Sequence, residues 1–313
     1  MRRQPLKPPN DRNRLLHSPL TDPAHAVRKP RSLFNPVTGW FRTLQRRVNH
    51  IVSRQVYPGI SGLHRIYDAI LRRRLTVSEG EIGIRDLPAG FHGLRILLIS
   101  DVHCGPFISP AALADTFRRL MVQEPDLILL AGDLATTRAE ELTACLPAFG
   151  ELQAELGVYA VLGNHDHYTG DPDRLCRELE GAGIVPLQNR HTLLNRNGGR
   201  LVLAGIDDFA FGRPDLEAAL AGKPDGAPVL LVSHNPDVFF QAARRQVDLV
   251  LAGHTHGGQV RCPGLPVLVR MRRFRLDEGR YEAAGSELVV SRGLGAVGIP
   301  IRFACPPEGV LLV

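Results

Sequence analysis

The stretch Leu94-Arg95-Ile96-Leu97-Leu98-Ile99-Ser100-Asp101-Val102-His103 decides how this 313-residue chain is read. Leu94–Ile99 is, but for Arg95, an apolar run, the mark of a strand buried on both faces. Asp101 and His103 follow it at once. The same order recurs downstream. Leu127–Ala131 leads into Gly132-Asp133, and Val158–Leu162 into Gly163-Asn164-His165-Asp166-His167. Val229–Val232 leads into Ser233-His234, and Asp248–Ala252 into Gly253-His254-Thr255-His256. Between these runs, helical periodicity is predicted over 110–123, 138–156 (interrupted by Pro147), 172–182 and 213–221. An edge strand over 75–85 and strands at Leu201–Ile206, Leu288–Ser291 and Val310–Val313 complete the pattern. Strand–helix alternation of this kind predicts an α/β body with parallel pairs, and no internal repeat of fixed period is present.

In such a sheet the carboxyl ends of the strands open onto one crevice, where ligands sit. Five strand ends therefore deliver Asp, Asn and His to a common cluster. The donors are all oxygen and nitrogen, a set that suits Mn, Fe, Zn or Co rather than a thiolate site. The D-x-H and H-x-H spacings predict two side chains on one face of an extended stretch, so that Asp101 and His103 grip one ion together. Gly132 and Gly163 precede ligands at tight turns. Asp101, His103, Asp133, Asn164, His234, His254 and His256 are too many for one ion and fit two if a carboxylate bridges. Taken alone, Asp133 reads equally well as a helix N-cap. Asp207 and Asp208 either line the crevice or cap the next turn, and His167 and His191 read as ordinary polar residues. Cys104 is placed on the opposite side of its strand from His103.

These blocks, in this order, resemble the calcineurin-like metallophosphoesterases, whose pattern is D-x-H, G-D, G-N-H-[DE], H and G-H-x-H. The likeness extends to a bacterial phosphodiesterase-like subgroup typified by YaeI and YkuE. Leu87-Pro88, Gly93-Leu94-Arg95, Asp207-Asp208, Ser233-His234-Asn235-Pro236-Asp237, Gly257-Gly258-Gln259 and Ser291-Arg292-Gly293-Leu294-Gly295 carry it. It covers about residues 75–313 and implies a four-layer α/β/β/α sandwich with two mixed sheets. It also implies a dinuclear-metal-dependent hydrolase of phosphate esters, using two divalent or trivalent ions (Mn, Fe or Zn). Asp101, His103, Asp133 and His256 would hold the first ion, with Asp133 bridging, and Asn164, His234 and His254 would complete the second. A shared hydroxide would attack phosphorus in line, His165 would protonate the leaving oxygen, and Asp166 would orient His165. The subgroup favours a phosphodiester or pyrophosphate substrate, including a lipid-linked one. A nucleotide- or nucleic-acid-directed phosphodiesterase and a phosphomonoesterase are the alternatives. A non-catalytic metal-binding module would have lost a block, and none is lost.

The net charge of +6 divides unevenly along the chain. Residues 1–74 hold 16 Lys+Arg against 3 Asp+Glu, and 75–313 hold 22 against 29. A basic arm thus precedes an acidic body, which argues against a nucleic-acid groove in the body. Residues 1–38, rich in Pro, Arg and Asn, read as a disordered basic tail. Residues 39–74 read as two basic amphipathic helices, one from Trp40 to Val56 and one from Ser61 to Arg74. These either pack on the body or a partner, or attach to an anionic membrane with Trp40 and Phe41 at the interface. Arg2-Arg3 resembles the start of a twin-arginine signal, but no apolar region or cleavage site follows it. Five cysteines without CxxC spacing read as reduced thiols. The expectation is a cytoplasmic protein, with peripheral attachment to the inner face of the membrane as the arm's functional reading. Subgroup members with a membrane or export segment in front differ from this chain there.

Overall fold

A computed structural model describes residues 1–6, 52–60, 62–261 and 276–313. Two sheets face one another, with strands numbered along the chain. The first runs β1 (Arg2–Pro5), β2 (Thr76–Gly80), β13 (Glu308–Leu312), β3 (Ile96–Ile99), β4 (Leu127–Ala131), β5 (Val158–Val161) and β6 (Ile184–Pro186). The second runs β11 (Gly279–Ala283), β12 (Ser286–Val290), β10 (Leu249–Ala252), β9 (Val229–Ser233), β8 (Gly199–Gly205) and β7 (Arg190–Arg196). Both are mixed. β3 to β6 run parallel while β13 is antiparallel to β3, and β8, β9, β10 and β12 run parallel between the antiparallel edges β7 and β11.

The apolar runs are continuous because their strands have no wet face. On β3 and β4, Ile96, Leu98, Leu127 and Leu129 point between the sheets, against Leu203, Leu230, Leu251 and Val289. Their neighbours Leu97, Ile99, Ile128 and Leu130 point the other way, onto helices. Those helices are α1 (His64–Arg74), α2 (Pro110–Met121), α3 (Ala139–Phe149) and α5 (Pro172–Gly181). α6 (Leu216–Leu220) and α7 (Phe239–Arg244) cover the outer face of the second sheet, and α4 (Asn164–Tyr168) follows β5. The result is the α/β/β/α sandwich. Each fully buried leucine of this core contributes about 1.5–3 kcal/mol.

Four expectations need correction. Residues 2–5, expected in the tail, form a strand: β2 offers an open edge, and Arg2–Pro5 pair along it in parallel while Leu6 is buried behind. β2, expected at the edge, is consequently an inner strand between β1 and β13. The second basic helix is part of the body rather than of an arm. Its Tyr67 and Leu71 are fully buried, and Tyr67 Oη lies 2.5 Å from Leu294 O and 2.8 Å from Gly295 O. Its Asp68 accepts the N–H and O–H of Ser109 at 3.1 and 2.8 Å, and Ser109 caps α2 by accepting the Ala112 N–H. The fourth correction is the helix expected over 138–156, which stops at Phe149, followed by Gly150. Residues 7–51, including Trp40 and Phe41, lie outside the described residues, and so does most of the first basic helix.

Besides β1, three strands had no expectation: β6, β7 and β11. β7 is mostly polar with only one buried residue, and joins β8 through Asn197-Gly198, a strong two-residue hairpin signal. β6 is only three residues long.

Removing the Tyr67 ring would leave a cavity under α1 and the buried Leu294 carbonyl without its donor, Gly295 O keeping the Arg302 Nε–H. Tyr67→Ala should therefore destabilise the fold by about 3–5 kcal/mol, on the scale of other aromatic truncations. Urea unfolding of the variant beside the wild type measures this; an unchanged midpoint would mean that α1 is not integral to the body.

Candidate metal centre

The strand ends converge through strained backbone. Asp101, His103, Asp133, His254 and His256, five of the seven candidate ligands, have φ of 52°, 50°, 52°, 73° and 51°. Left-handed backbone costs a residue with a Cβ about 1 kcal/mol or more and concentrates where geometry is functional. This corrects the expectation that Asp101 and His103 share a face of an extended stretch. β3 has ended at Ile99, and two left-handed turns, rather than strand alternation, aim both side chains inward. The turns are pinned by their neighbours: the Asp101 N–H donates to Gly132 O and the His103 N–H to Asp133 O, both at 2.9 Å.

Glycine is required where these turns touch. A Cβ on Gly163 would lie 2.3 Å from Asp133 Oδ1, and one on Gly132 would lie 2.7 Å from the Gly163 nitrogen. Gly132 also has φ of +78°. The G-D and G-N blocks are thus two faces of one close contact.

The side chains form two clusters, Asp101–His103–Asp133–His256 and Asp133–His234–His254, with donor atoms mutually within 4.8 Å. His103 Nε2 lies 3.0 Å from His256 Nε2, and His234 Nε2 lies 2.8 Å from His254 Nδ1. Asp133 Oδ2 is 3.6 Å from His103 Nε2 and 3.2 Å from His234 Nε2, so one oxygen faces both clusters. Ligands held about 2.1 Å from one ion stand roughly 3.0–3.4 Å apart, and the distances here, 2.8 to 3.6 Å, lie close to that spacing. Asn164, the seventh candidate, sits next to this contact with its Oδ1 buried and unpartnered, an acceptor that lacks a donor. The donor set and the orphaned oxygen both fit cations. Asp101 is steadied by the His254 N–H, which lies 3.1 and 3.0 Å from its two oxygens.

Electrostatics tell the same story. Burial pushes Asp101 up to about 6, with Asp133 adding to the rise. Burial also drives His103 down to about 3, helped by His165, and holds His256 well below its usual value, helped by His103 and Arg302. Burial would raise Asp133 too, but His234, His165 and His103 outweigh it and hold its carboxyl well below the carboxylate range. Burial would lower His234, yet the Asp133 carboxylate lifts it to about 10. Carboxylates and lone-pair nitrogens are thus packed together out of water, where neither can be solvated.

His165 and Asp166 follow on α4. The His165 N–H donates to Asp133 Oδ1 at 2.8 Å, and its ring Nδ1 lies 2.7 Å from Thr136 O. A carbonyl accepts only, so Nδ1 carries a proton and Nε2 is left for other work. The expected His165–Asp166 dyad is not formed. Asp166 instead accepts the N–H groups of Leu134, Ala135 and Gly163 at 2.9, 2.8 and 2.8 Å. Adjacent residues on a helix do not face each other, so Asp166 points back into the turn after β4 while His165 points out. Burial raises Asp166 to about 6, with Asp133 adding to it.

Sequence reading missed Arg302. It is buried, donates to Gly295 O and Arg292 O at 2.8 and 2.7 Å, and lies 3.2 Å from His256 Nδ1. Its only sequence sign is a charge between Ile301 and Phe303. His167, read as ordinary, pairs with Asp207 at 2.7 Å, and Asp208 turns its carboxylate onto the N–H groups of Ala210 and Phe211. Both aspartates therefore organise the turn after β8.

Residues 94–258 match the calcineurin-like phosphoesterase family. Among curated proteins, the chain is 33% identical over 245 residues to a transmembrane protein with metallophosphoesterase domain from Danio rerio, covering 74% of this chain and 55% of that protein. The Bos taurus protein of the same name is 31% identical, covering 76% of this chain and 56% of that protein. The uncharacterized metallophosphoesterase YkuE of Bacillus subtilis is 31% identical, covering 71% and 79% respectively. The chain thus spans about half the length of the two vertebrate relatives. With its ordered motifs, two mixed sheets and paired Asp/His clusters, the chain belongs to the calcineurin-like phosphoesterase family.

Proposed function

We propose that this chain is a dinuclear-metal-dependent hydrolase of a phosphodiester or pyrophosphate bond, working at a membrane surface. The observation that carries the proposal is Asp133 Oδ2, a buried oxygen facing His103 Nε2 at 3.6 Å and His234 Nε2 at 3.2 Å. Asp101, His103, Asp133 and His256 would hold one ion, and Asp133, Asn164, His234 and His254 the other. Two such ions, of Mn, Fe or Zn, would supply Lewis acidity to offset phosphate charge and lower the pKa of water toward neutral pH.

The chain's own residues do the rest. Thr136 O fixes the His165 ring, whose Nε2 delivers a proton to the leaving oxygen. Asp166 is a strut that ties the turns after β4 and β5 together and so keeps Asp133 and His165 in register. Around His256 two of three guanidiniums are already paired with carboxylates, Arg261 with Glu278 and Arg292 with Glu308, and Arg302 spends N–H groups on the carbonyls of Gly295 and Arg292. A substrate with a single negative charge at the reacting phosphate suits such a site better than a dianionic monoester.

An apolar rim supports the membrane-surface reading. Val260, Ile299, Ile301 and Phe303 are exposed large side chains. Val260 bridges to Phe303, and Gln259 donates to Val297 O and Ile299 O at 3.1 Å, which ties the rim to the turn carrying His256. The basic charge of residues 1–74 would add attraction to anionic lipid. Among the described residues no helix is long and apolar enough to cross a membrane. The four cysteines among them are unpaired, which suits the reducing cytoplasmic side.

Leaving-group dependence tests the roles. Mn-loaded protein should cleave bis-p-nitrophenyl phosphate faster than p-nitrophenyl phosphate. Across aryl diesters, His165→Ala should lose about 10²–10³-fold in kcat with poor leaving groups and much less with p-nitrophenolate, which needs no proton. A loss independent of the leaving group would contradict the donor role. Asp166→Asn puts an amide among three N–H donors. It should lower the unfolding free energy by about 1–3 kcal/mol while keeping the wild-type leaving-group slope. A steepened slope in that variant would restore the dyad.

A further inference from the structure

A row of rings leads away from the metal centre. His103 meets His165 edge to face, with centroids 4.7 Å apart and planes at 87°. His165 meets Tyr168 at 4.9 Å and 68°, and Tyr168 meets Phe211 at 4.7 Å and 78°. The row starts at a candidate ligand, passes through the ring assigned to proton delivery, and ends on a side chain that is 47% exposed.

Phe211 is not displayed on a loose turn. Asp208, itself 1% exposed, accepts the N–H groups of Ala210 and Phe211 at 2.8 and 2.7 Å. Asp207 accepts the Arg213 N–H at 2.7 Å and pairs with His167 at 2.7 Å. His167 stands on α4 between His165 and Tyr168. The turn bearing Phe211 is therefore moored to the helix that bears His165, and the outer ring keeps a fixed position relative to the inner one.

We propose that Tyr168 and Phe211 form a platform for the leaving group of the substrate, and that this group is a planar aromatic one. The inference rests on the reading of His165 as proton donor and deepens it. The oxygen that His165 protonates is bonded to the leaving group, so this group departs over the next rings in the row. Aromatic rings preferentially attract other π systems in stacked or edge-to-face contact, and such contacts accept any planar ring of suitable size. A saturated chain would gain more from an enclosed groove than from one open ring. Phe211 thus selects among leaving groups rather than acting on the reacting bond.

Steady-state kinetics of the Mn-loaded full chain would test this with methyl phosphodiesters that differ only in the leaving alcohol: 1-naphthyl, phenyl and trifluoroethyl. In Phe211→Leu the ratio of naphthyl KM to trifluoroethyl KM should rise about 10-fold, with kcat for the naphthyl ester within about two-fold of wild type. Phe211→Trp should bring the ratio back to the wild-type value or below it. An unchanged ratio in Phe211→Leu overturns the platform, and an equal rise for all three esters overturns the preference for planar groups in favour of a general apolar wall. His165→Ala run on the same esters separates the two readings. If its leaving-group slope steepens while the Phe211→Leu ratio stays put, only the platform fails; if its slope is unchanged, the donor assignment fails and the inference goes with it.

Discussion

One carboxylate organises this molecule. Asp133 is buried, its Oδ1 takes the His165 N–H, and its Oδ2 looks toward imidazoles from two different strand ends. Taking a carboxylate out of water costs several kcal/mol even after relaxation, and only nearby positive charge offsets it. His234 supplies part of that charge, raised to about 10 by its contact with Asp133. The remaining donors, Asp101, His103, His256 and the unpartnered Asn164 Oδ1, add lone pairs rather than protons. A group of this kind is at odds with itself until cations join it. Five of these candidate ligands sit in left-handed backbone.

The rest of the sandwich keeps that conflict in place. The two sheets are joined by an apolar layer, so strand ends from both sheets meet on one edge. Gly132 and Gly163 let the turns after β4 and β5 come into contact, and Asp166 stitches the same turns through three N–H groups. On the other side Arg302 supports His256, while Tyr67 of α1 supports the Leu294–Gly295 backbone. That backbone in turn donates to the Ser100 and Asp101 carbonyls at 2.9 and 2.6 Å. α1 therefore acts on the centre from the far side of the core. Residues read as a basic arm turn out in part to be the floor beneath it.

The chain's core and its candidate ligands are legible from sequence for one reason: both obey strong local rules. A strand buried on both faces must be apolar throughout, and a ligand must sit where such a strand ends. What sequence does not show is direction. The D-x-H spacing suggests a strand face, yet two left-handed turns aim Asp101 and His103. The adjacency of His165 and Asp166 suggests a dyad, yet helical geometry turns them apart and gives the ring to Thr136 O. Arg302 has no periodic signal, because its partners are 46 and 7 residues away at His256 and Gly295. Arg2–Pro5 joins the sheet for a similarly long-range reason: the open edge of β2, more than seventy residues on, pairs with Arg2 at Thr76.

The central claim is that Asp133 is shared between two cation sites. Equilibrium dialysis of the purified chain against Mn²⁺, with metal analysis and electron paramagnetic resonance, tests it most directly. Two ions per chain with a spin-coupled signal are expected, with one uncoupled ion in His254→Ala and one in His256→Ala, and loss of both tightly held ions in Asp133→Ala. A wild-type chain that binds a single ion, or an Asp133→Ala variant that keeps a coupled pair, would contradict it.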